Sequence, residues 1–179
     1  MLKFTDQLNE KNLAGKKVLL RVDFDVPLLR SKGATEGQAL IGEDFRVKSH
    51  IETLNYLLDN GARVMLVSHL GHDISGASFC SVVEQLGLIL EQTLMLVPHV
   101  DLGSVDALFN KCPVLLLDNL RQNLREVTND DGFAAELAKG FDYYVNDAFA
   151  VMHRNHASVV AITKHLPSYA GLLVKKEVD

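Results

Sequence analysis

Residues 17–25 read KVLLRVDFD, a Val- and Leu-rich run that ends in two aspartates. A run without polar alternation is typical of a parallel strand that is covered on both faces, because a strand with one wet face alternates. The run at 17–22 is followed by four similar ones, at 63–67, 93–97, 114–117 and 142–145. We therefore predict that these runs are strands of one parallel sheet.

Apolar residues at helical spacing lie between the runs. The spacing from Ile51 to Leu58 predicts an amphipathic helix that ends at Asn60-Gly61, and further helices are predicted over 79–91 and 131–139. Parallel neighbours need crossover connections, so this order predicts an α/β, Rossmann-like open parallel sheet with helices on both faces. We expect a single domain over 1–179, with a surface loop or irregular hairpin at 28–43.

Composition restricts the class of protein. The chain has 179 residues, is 47% hydrophobic and carries a formal net charge of -5, which argues against nucleic-acid or membrane partners. Its apolar runs are too short to span a bilayer, and its start has no apolar leader. Cys80 and Cys112 lie in apolar sequence, which predicts two buried free thiols. We expect a monomer in the cytoplasm.

The ends of the strands carry the polar residues. In open α/β sheets, ligands bind outside the carboxyl ends of the strands. The side chains that follow the runs are Arg21, Asp23 and Asp25, then Ser68, His69 and His72, then Asp118, Asn119 and Arg121, and finally Asn146 and Asp147. With Arg46 and Arg154 added, the guanidinium groups predict a site for a small polyanion, because their planar forks match carboxylate and phosphate oxygens.

Two alternatives remain open for these residues. Each arginine could form an ordinary salt bridge, such as Arg21 with Asp23 or Arg121 with Glu126. Asp23 and Asp25 are two residues apart at a strand end, so their side chains should point to the same side and repel each other unless a cation or a hydroxyl lies between them. The alternative is that both are exposed at the loop mouth.

A metal site is a further alternative. The pairs His69-x-x-His72 and His153-x-x-His156 match the ligand chemistry of zinc, although no cysteine lies near either pair. The chain contains neither G-x-x-x-x-G-K-[ST] nor G-x-G-x-x-G, so no phosphate cradle for a nucleotide can be placed in it. We expect no metal and no bound cofactor in this chain.

Six segments together resemble one family. They are RVDFDVPL at 21–28, SHLG at 68–71, LDNLR at 117–121, VNDAF at 145–149, HRNHAS at 153–158 and LPSYAGLL at 166–173. These segments are similar, in order, to the RVDFNVP, SHLGRP, LENLRF, VNDAFG, HRAHAS and LPSxAGLL motifs of phosphoglycerate kinases. The resemblance covers nearly the whole chain, but only the N-terminal, 3-phosphoglycerate-binding half of such an enzyme.

The resemblance implies a role for each matching residue. Asp23 would accept hydrogen bonds from 3-phosphoglycerate, while His69, Arg121 and Arg154 would hold its anionic groups. Arg46 would contact the carboxylate and steady the phosphoryl group in flight, which makes it the candidate catalytic residue. Mg-ATP or Mg-ADP would bind a C-terminal nucleotide domain absent from this chain, so the isolated domain would bind substrate without turnover.

The candidate substrate-binding set is Arg21, Asp23, Asp25, Arg46, His69, His72, Arg121 and Arg154. Two of these positions depart from the family. Asp25 replaces an Asn, and His72-Asp73 replaces an Arg-Pro pair. Both changes make the site less favourable for a trianion. They leave open a second hypothesis, that of a free-standing degenerate relative that binds another anion or a partner protein.

Overall fold

The computed structural model describes residues 2–29, 39–71, 77–98 and 105–179. Its strands are β1 (Lys17–Arg21), β2 (Leu28–Leu29), β3 (Leu40–Ile41), β4 (Arg63–Val67), β5 (Met95–Val97), β6 (Val114–Leu117), β7 (Tyr143–Asn146) and β8 (Ser168–Ala170). Its helices are α1 (Glu10–Leu13), α2 (Phe45–Lys48), α3 (Ile51–Asp59), α4 (Val83–Leu90), α5 (Val105–Phe109), α6 (Leu124–Val127), α7 (Asp131–Ala138) and α8 (Leu172–Val178).

Within the described residues, six strands form one parallel sheet in the order β5-β6-β4-β1-β7-β8. This confirms the predicted α/β fold and all five predicted strands. The central strand β1 lies between β4 and β7, and Arg21 is in register with Val67 on one side and Asn146 on the other. The carboxyl ends of the three strands therefore meet at one edge.

Both faces of the sheet are covered. Leu20 of β1 belongs to the core that packs against α3 and α4, whereas its neighbour Leu19 belongs to the core that packs against α7. Successive strand residues point to opposite faces, which explains why the runs do not alternate with polar residues. Leu57 of α3 and Leu137 of α7 are fully buried, and each such side chain stabilises the fold by about 1.5–3 kcal/mol.

Several local predictions can be compared with the structure. Helix α3 ends at Asn60-Gly61 as predicted, and Gly61 has a φ of 81°, which favours glycine. The helix predicted over 79–91 starts as a 3-10 turn, Phe79–Ser81, before α4. Strands β2 and β3 pair antiparallel, which confirms a hairpin in segment 28–43, while residues 30–38 lie outside the described chain.

The prediction of two buried thiols is wrong for Cys80. Cys112 is buried, but Cys80 is exposed, and both are free. In the 3-10 helix, Phe79 points into the core and is fully buried, so its neighbour Cys80 points to the surface. None of the described helices has the length and apolar character needed to cross a bilayer.

Candidate functional site

The chain leaves β1 with its amide groups bonded to side chains. The N–H of Asp23 donates to His50 Nε2 at 2.9 Å, and the N–H of Phe24 donates to Ser68 Oγ at 2.8 Å. The N–H of Asp25 donates to Asp23 Oδ1 at 3.1 Å, a local turn typical of Asx residues. These bonds fix the backbone of the segment in which the family's first motif lies.

An open pocket of about 680 Å³ lies beside this segment at the carboxyl edge of the sheet. Its volume is in the range of small-ligand sites. Among the described residues, it is lined by five of the candidates, Asp23, Asp25, Arg46, His69 and Arg154, together with Val26, Pro27, Leu28, Leu70, Gly71, Ala77, Ala150 and Val151. The structure therefore brings most of the sequence-predicted site residues together.

Arg46 lies at the mouth of this pocket. Its Nη1 is 3.2 Å from Asp23 Oδ2 and 3.3 Å from the carbonyl oxygen of Asp25. The side chain of Arg46 is 54% exposed, whereas that of Asp23 is 8% exposed. The salt bridge is thus with Arg46 and not with Arg21, and the guanidinium group remains accessible to an incoming anion.

His69 presents a neutral hydrogen-bond donor to the pocket. Its Nδ1 lies 3.0 Å from Arg21 Nη2, and a guanidinium group can only donate, so the ring proton resides on Nε2. That nitrogen is 3.5 Å from Asp25 Oδ2. Burial is the main factor that lowers the pKa of His69, the nearby Arg21 and Arg121 lower it further, and Asp25 opposes them.

Arg21 lies beneath the pocket and is only 1% exposed. Its Nε donates to Ser158 Oγ at 3.2 Å, and that hydroxyl donates to Glu126 Oε1 at 2.6 Å. Burial lowers the pKa of Arg21, and the buried carboxylate of Glu126 partly offsets this. Arg21 is not among the described lining residues, so its geometry suits the support of His69 better than direct contact with a ligand.

A basic cluster adjoins the pocket on the side of Arg121. This residue is 5% exposed, and its Nη1 donates to the carbonyl oxygen of Gly71 at 3.2 Å. Burial lowers the pKa of His156 to about 4, with Arg121 and Arg154 as the largest electrostatic contributions. Positive charge is therefore concentrated at this edge of the sheet, although the whole chain is acidic.

Asp25 brings a carboxylate into this environment. Its Oδ1 accepts from the N–H of Gly71 at 2.8 Å, and its side chain is 20% exposed. Neither Asp23 nor Asp25 is exposed in the way that the loop-mouth alternative requires. The other departure from the family motifs, His72 with Asp73, lies outside the described residues.

Ser158, Glu126 and His50 support the site but were not predicted as site residues. Ser158 is the last residue of HRNHAS, and Glu126 was considered only as a possible partner of Arg121. Their link to Arg21 joins residues 137 positions apart and depends on the fold. Within the ranges that the structure describes, no group of three or more His, Cys, Asp and Glu residues is arranged to hold a metal ion.

A family model described as phosphoglycerate kinase matches residues 8–179. This chain belongs to the phosphoglycerate kinase family. A curated phosphoglycerate kinase from Coprothermobacter proteolyticus is 36% identical over 179 residues, which cover 96% of this chain and 44% of the relative. The cytosolic phosphoglycerate kinase of Triticum aestivum is 40% identical, and the match covers 96% of this chain and 43% of that relative.

Solved phosphoglycerate kinases share the fold. The enzyme from Pyrococcus horikoshii superposes with a TM-score of 0.79 at 29% identity, covering 99% of this chain and 44% of that structure. The enzyme from Coxiella burnetii gives a TM-score of 0.78 at 27% identity, with 99% and 43% covered. The chain thus spans less than half the length of these phosphoglycerate kinases, and the matches do not favour the hypothesis of a degenerate anion-binding relative.

Proposed function

We propose that this phosphoglycerate kinase domain binds 3-phosphoglycerate and its 1,3-bisphosphate form in the pocket at the carboxyl edge. In the complete enzyme, phosphoryl transfer with ADP or ATP in glycolysis would follow. The observation that carries this proposal is the composition of the pocket, in which two guanidinium groups, Arg46 and Arg154, lie with the acceptor Asp23 and the neutral donor His69.

Each group suits one part of the ligand. The carboxylate of Asp23 accepts a hydrogen bond from the ligand hydroxyl, and His69 Nε2 donates to a carboxylate or phosphate oxygen. Arg154, with Arg121 behind it, attracts the phosphate. Charge-assisted bonds of this kind contribute about 1.5–3 kcal/mol each when shielded from water.

Arg46 is the proposed catalytic residue. Its present partners, Asp23 Oδ2 and the carbonyl oxygen of Asp25, are at 3.2 and 3.3 Å, and more than half of its side chain faces solvent. The guanidinium can therefore turn to the ligand carboxylate and then stabilise the negative charge on the transferring phosphoryl group. Arg21 acts below it, by fixing the tautomer of His69.

Asp25 reduces the affinity of this site for a trianion. Its carboxylate lies in the same pocket as the cations and faces His69. A second carboxylate in the pocket, beside that of Asp23, repels phosphate. The bond from Gly71 and the neighbouring guanidinium groups partly neutralise its charge. We infer that the site binds 3-phosphoglycerate more weakly than a site with Asn at this position.

The nucleotide belongs to a part of the enzyme outside this chain. Mg-ATP or Mg-ADP would bind the C-terminal domain, which would also be the protein partner of this one. The domain alone would bind substrate as a monomer in the cytoplasm without transferring a phosphoryl group. A coupled assay with 1,3-bisphosphoglycerate and ADP should give no ATP from the 179-residue chain, and measurable turnover would contradict this.

Isothermal titration of the domain tests the binding proposal. We expect one site for 3-phosphoglycerate, at least tenfold weaker binding of glycerate, which lacks the phosphate, and similarly weak binding of glycerol 3-phosphate, which lacks the carboxylate. A tenfold change corresponds to about 1.4 kcal/mol, less than one shielded charge-assisted bond contributes. Equal affinity for inorganic phosphate and 3-phosphoglycerate would contradict the proposed specificity.

A further inference from the structure

A buried histidine and aspartate connect below the pocket. His50, at the start of α3, is 2% exposed, and Asp147, directly after β7, is fully buried. Their facing atoms, His50 Nδ1 and Asp147 Oδ2, are 2.8 Å apart. His50 Nε2 lies 2.9 Å from the backbone nitrogen of Asp23. Neither His50 nor Asp147 is among the described residues that line the pocket.

The hydrogen bonds assign the state of the His50 ring. A backbone N–H can only donate, so Nε2 must accept from Asp23, and the ring proton resides on Nδ1 and is donated to Asp147. Both ring nitrogens are therefore satisfied in the neutral form. The ring also packs edge-on against Phe24, with centroids 6.1 Å apart and an interplanar angle of 63°, which restricts its rotation.

Asp147 provides a rigid anchor for this ring. Its second oxygen, Oδ1, accepts from the N–H of Leu173 in the first turn of α8 at 3.0 Å. A Cβ atom on Gly171 would lie only 1.9 Å from the same oxygen, so the helix start and the carboxylate fit closely. Both carboxylate oxygens are thus held, and the position of His50 is set by α8 as well as by its own helix.

The bond to His50 helps to set the direction in which the side chain of Asp23 projects. Its Oδ1 accepts from the N–H of Asp25, and its Oδ2 accepts from Arg46. The peptide from which the carboxylate projects is held on both sides, because its N–H donates to His50 and its carbonyl oxygen, on Val22, accepts from Ser68 Oγ at 2.9 Å. Rotation of that peptide would move both oxygens relative to the pocket. The bond to His50 opposes this rotation at the N–H, as the bond from Ser68 does at the carbonyl oxygen.

We propose that His50 is a positioning residue for substrate binding, which acts by accepting the N–H of Asp23 from an imidazole anchored on Asp147. This inference rests on the proposed function, because it assigns to Asp23 a role in holding 3-phosphoglycerate. His50 touches no ligand and acts only through Asp23.

Two conservative variants test the two hydrogen bonds of His50, to Asp23 and to Asp147, separately. In His50→Gln the amide oxygen reaches the place of Nε2 and can accept from Asp23, whereas in His50→Asn the shorter amide reaches the place of Nδ1 and can only satisfy Asp147. We expect about tenfold weaker binding of 3-phosphoglycerate by His50→Asn and His50→Ala, and at most a threefold loss for His50→Gln. If His50 were merely structural, the loss of affinity in each variant would follow its loss of stability. It would not depend on whether the new side chain can accept from the N–H of Asp23.

The matched control is His165→Ala. His165 also pairs with an aspartate, Asp131, at 3.3 Å, but on the surface, and neither residue is among the described residues that line the pocket. It should leave 3-phosphoglycerate binding unchanged. Added imidazole should restore binding to His50→Ala by filling the space of the missing ring, without affecting wild type or His165→Ala.

The outcomes are separable. If wild type binds 3-phosphoglycerate and the Gln, Asn and Ala variants of His50 bind equally well, the inference is overturned alone. If wild type does not bind, the proposed function fails and the inference with it. Where the variants do not fold, long-range ¹H–¹⁵N spectra of the wild type decide between the outcomes. An unprotonated Nε2 and a protonated Nδ1 at His50, both retained when 3-phosphoglycerate is bound, support the inference. The opposite tautomer overturns it.

Discussion

Arg46→Ala should separate binding from folding. The side chain of Arg46 is 54% exposed, and among the described residues it pairs with Asp23, at 3.2 Å. Exposed pairs contribute only about 0.2–1 kcal/mol to stability. Arg46 is exposed and Asp23, although 8% exposed, also accepts from the N–H of Asp25, so the free energy of unfolding should fall by about 1 kcal/mol. Against a bound carboxylate the same guanidinium contributes about 1.5–3 kcal/mol, which corresponds to a roughly 10- to 150-fold rise in the Kd for 3-phosphoglycerate.

Arg125→Ala is the matched control. Arg125 is also partly exposed, at 42%, and pairs with Asp130 and Glu136, but it does not line the pocket among the described residues. Isothermal titration and urea unfolding of both variants should show a loss of affinity for Arg46→Ala alone. Unchanged affinity in Arg46→Ala, or an equal loss in Arg125→Ala, would refute the assignment of Arg46 to the ligand.

Asp25→Asn should tighten 3-phosphoglycerate binding by about three- to tenfold, because it removes a negative charge while the amide oxygen can keep the bond to the N–H of Gly71. His72→Arg should also tighten binding. Titration calorimetry that shows no gain for either variant would count against the inferred weakness of the site. Stability should fall as the pH is lowered from about 6.5 to about 4, because burial and nearby cations lower the pKa of His156 to about 4, so the unfolded chain takes up the proton first. Denaturant titrations across that range should show a smaller slope for His156→Gln, and an unchanged slope would exclude His156 as the cause. Gly171→Ala should destabilise the domain by about 1–3 kcal/mol, because its Cβ would lie 1.9 Å from Asp147 Oδ1; a wild-type melting temperature would contradict that packing.

The sheet was predictable from the sequence because its strands are buried on both faces. Such strands appear as apolar runs, and β1, β4, β5, β6 and β7 were all found in this way. Strand β8 was not, because its three residues, Ser168–Ala170, form no apolar run. The exposure of Cys80 was also not predictable from apolar sequence, because one turn of a 3-10 helix decides whether Phe79 or Cys80 faces the core.

The site was predictable as a location but not in its detail. Strand ends meet at one edge of a parallel sheet, which correctly placed Asp23, Asp25 and His69 together. The sequence could not show that Arg21 is buried, because its partners Ser158 and Glu126 come from distant parts of the chain. For the same reason it gave no signal that distinguishes His50, which belongs to none of the family motifs.

NMR titration of the domain with 3-phosphoglycerate locates the substrate site residue by residue. On titration of the ¹⁵N-labelled domain, the amide signals of Asp23, Asp25 and Gly71 and the side-chain signals of Arg46 and Arg154 should shift together and saturate with one Kd. Another groove, of about 690 Å³, lies beside α4 and is lined by Glu84, Leu88 and Glu91 among others. Shifts confined to that groove, or no saturable shifts at the carboxyl edge, would contradict the assignment of the substrate site.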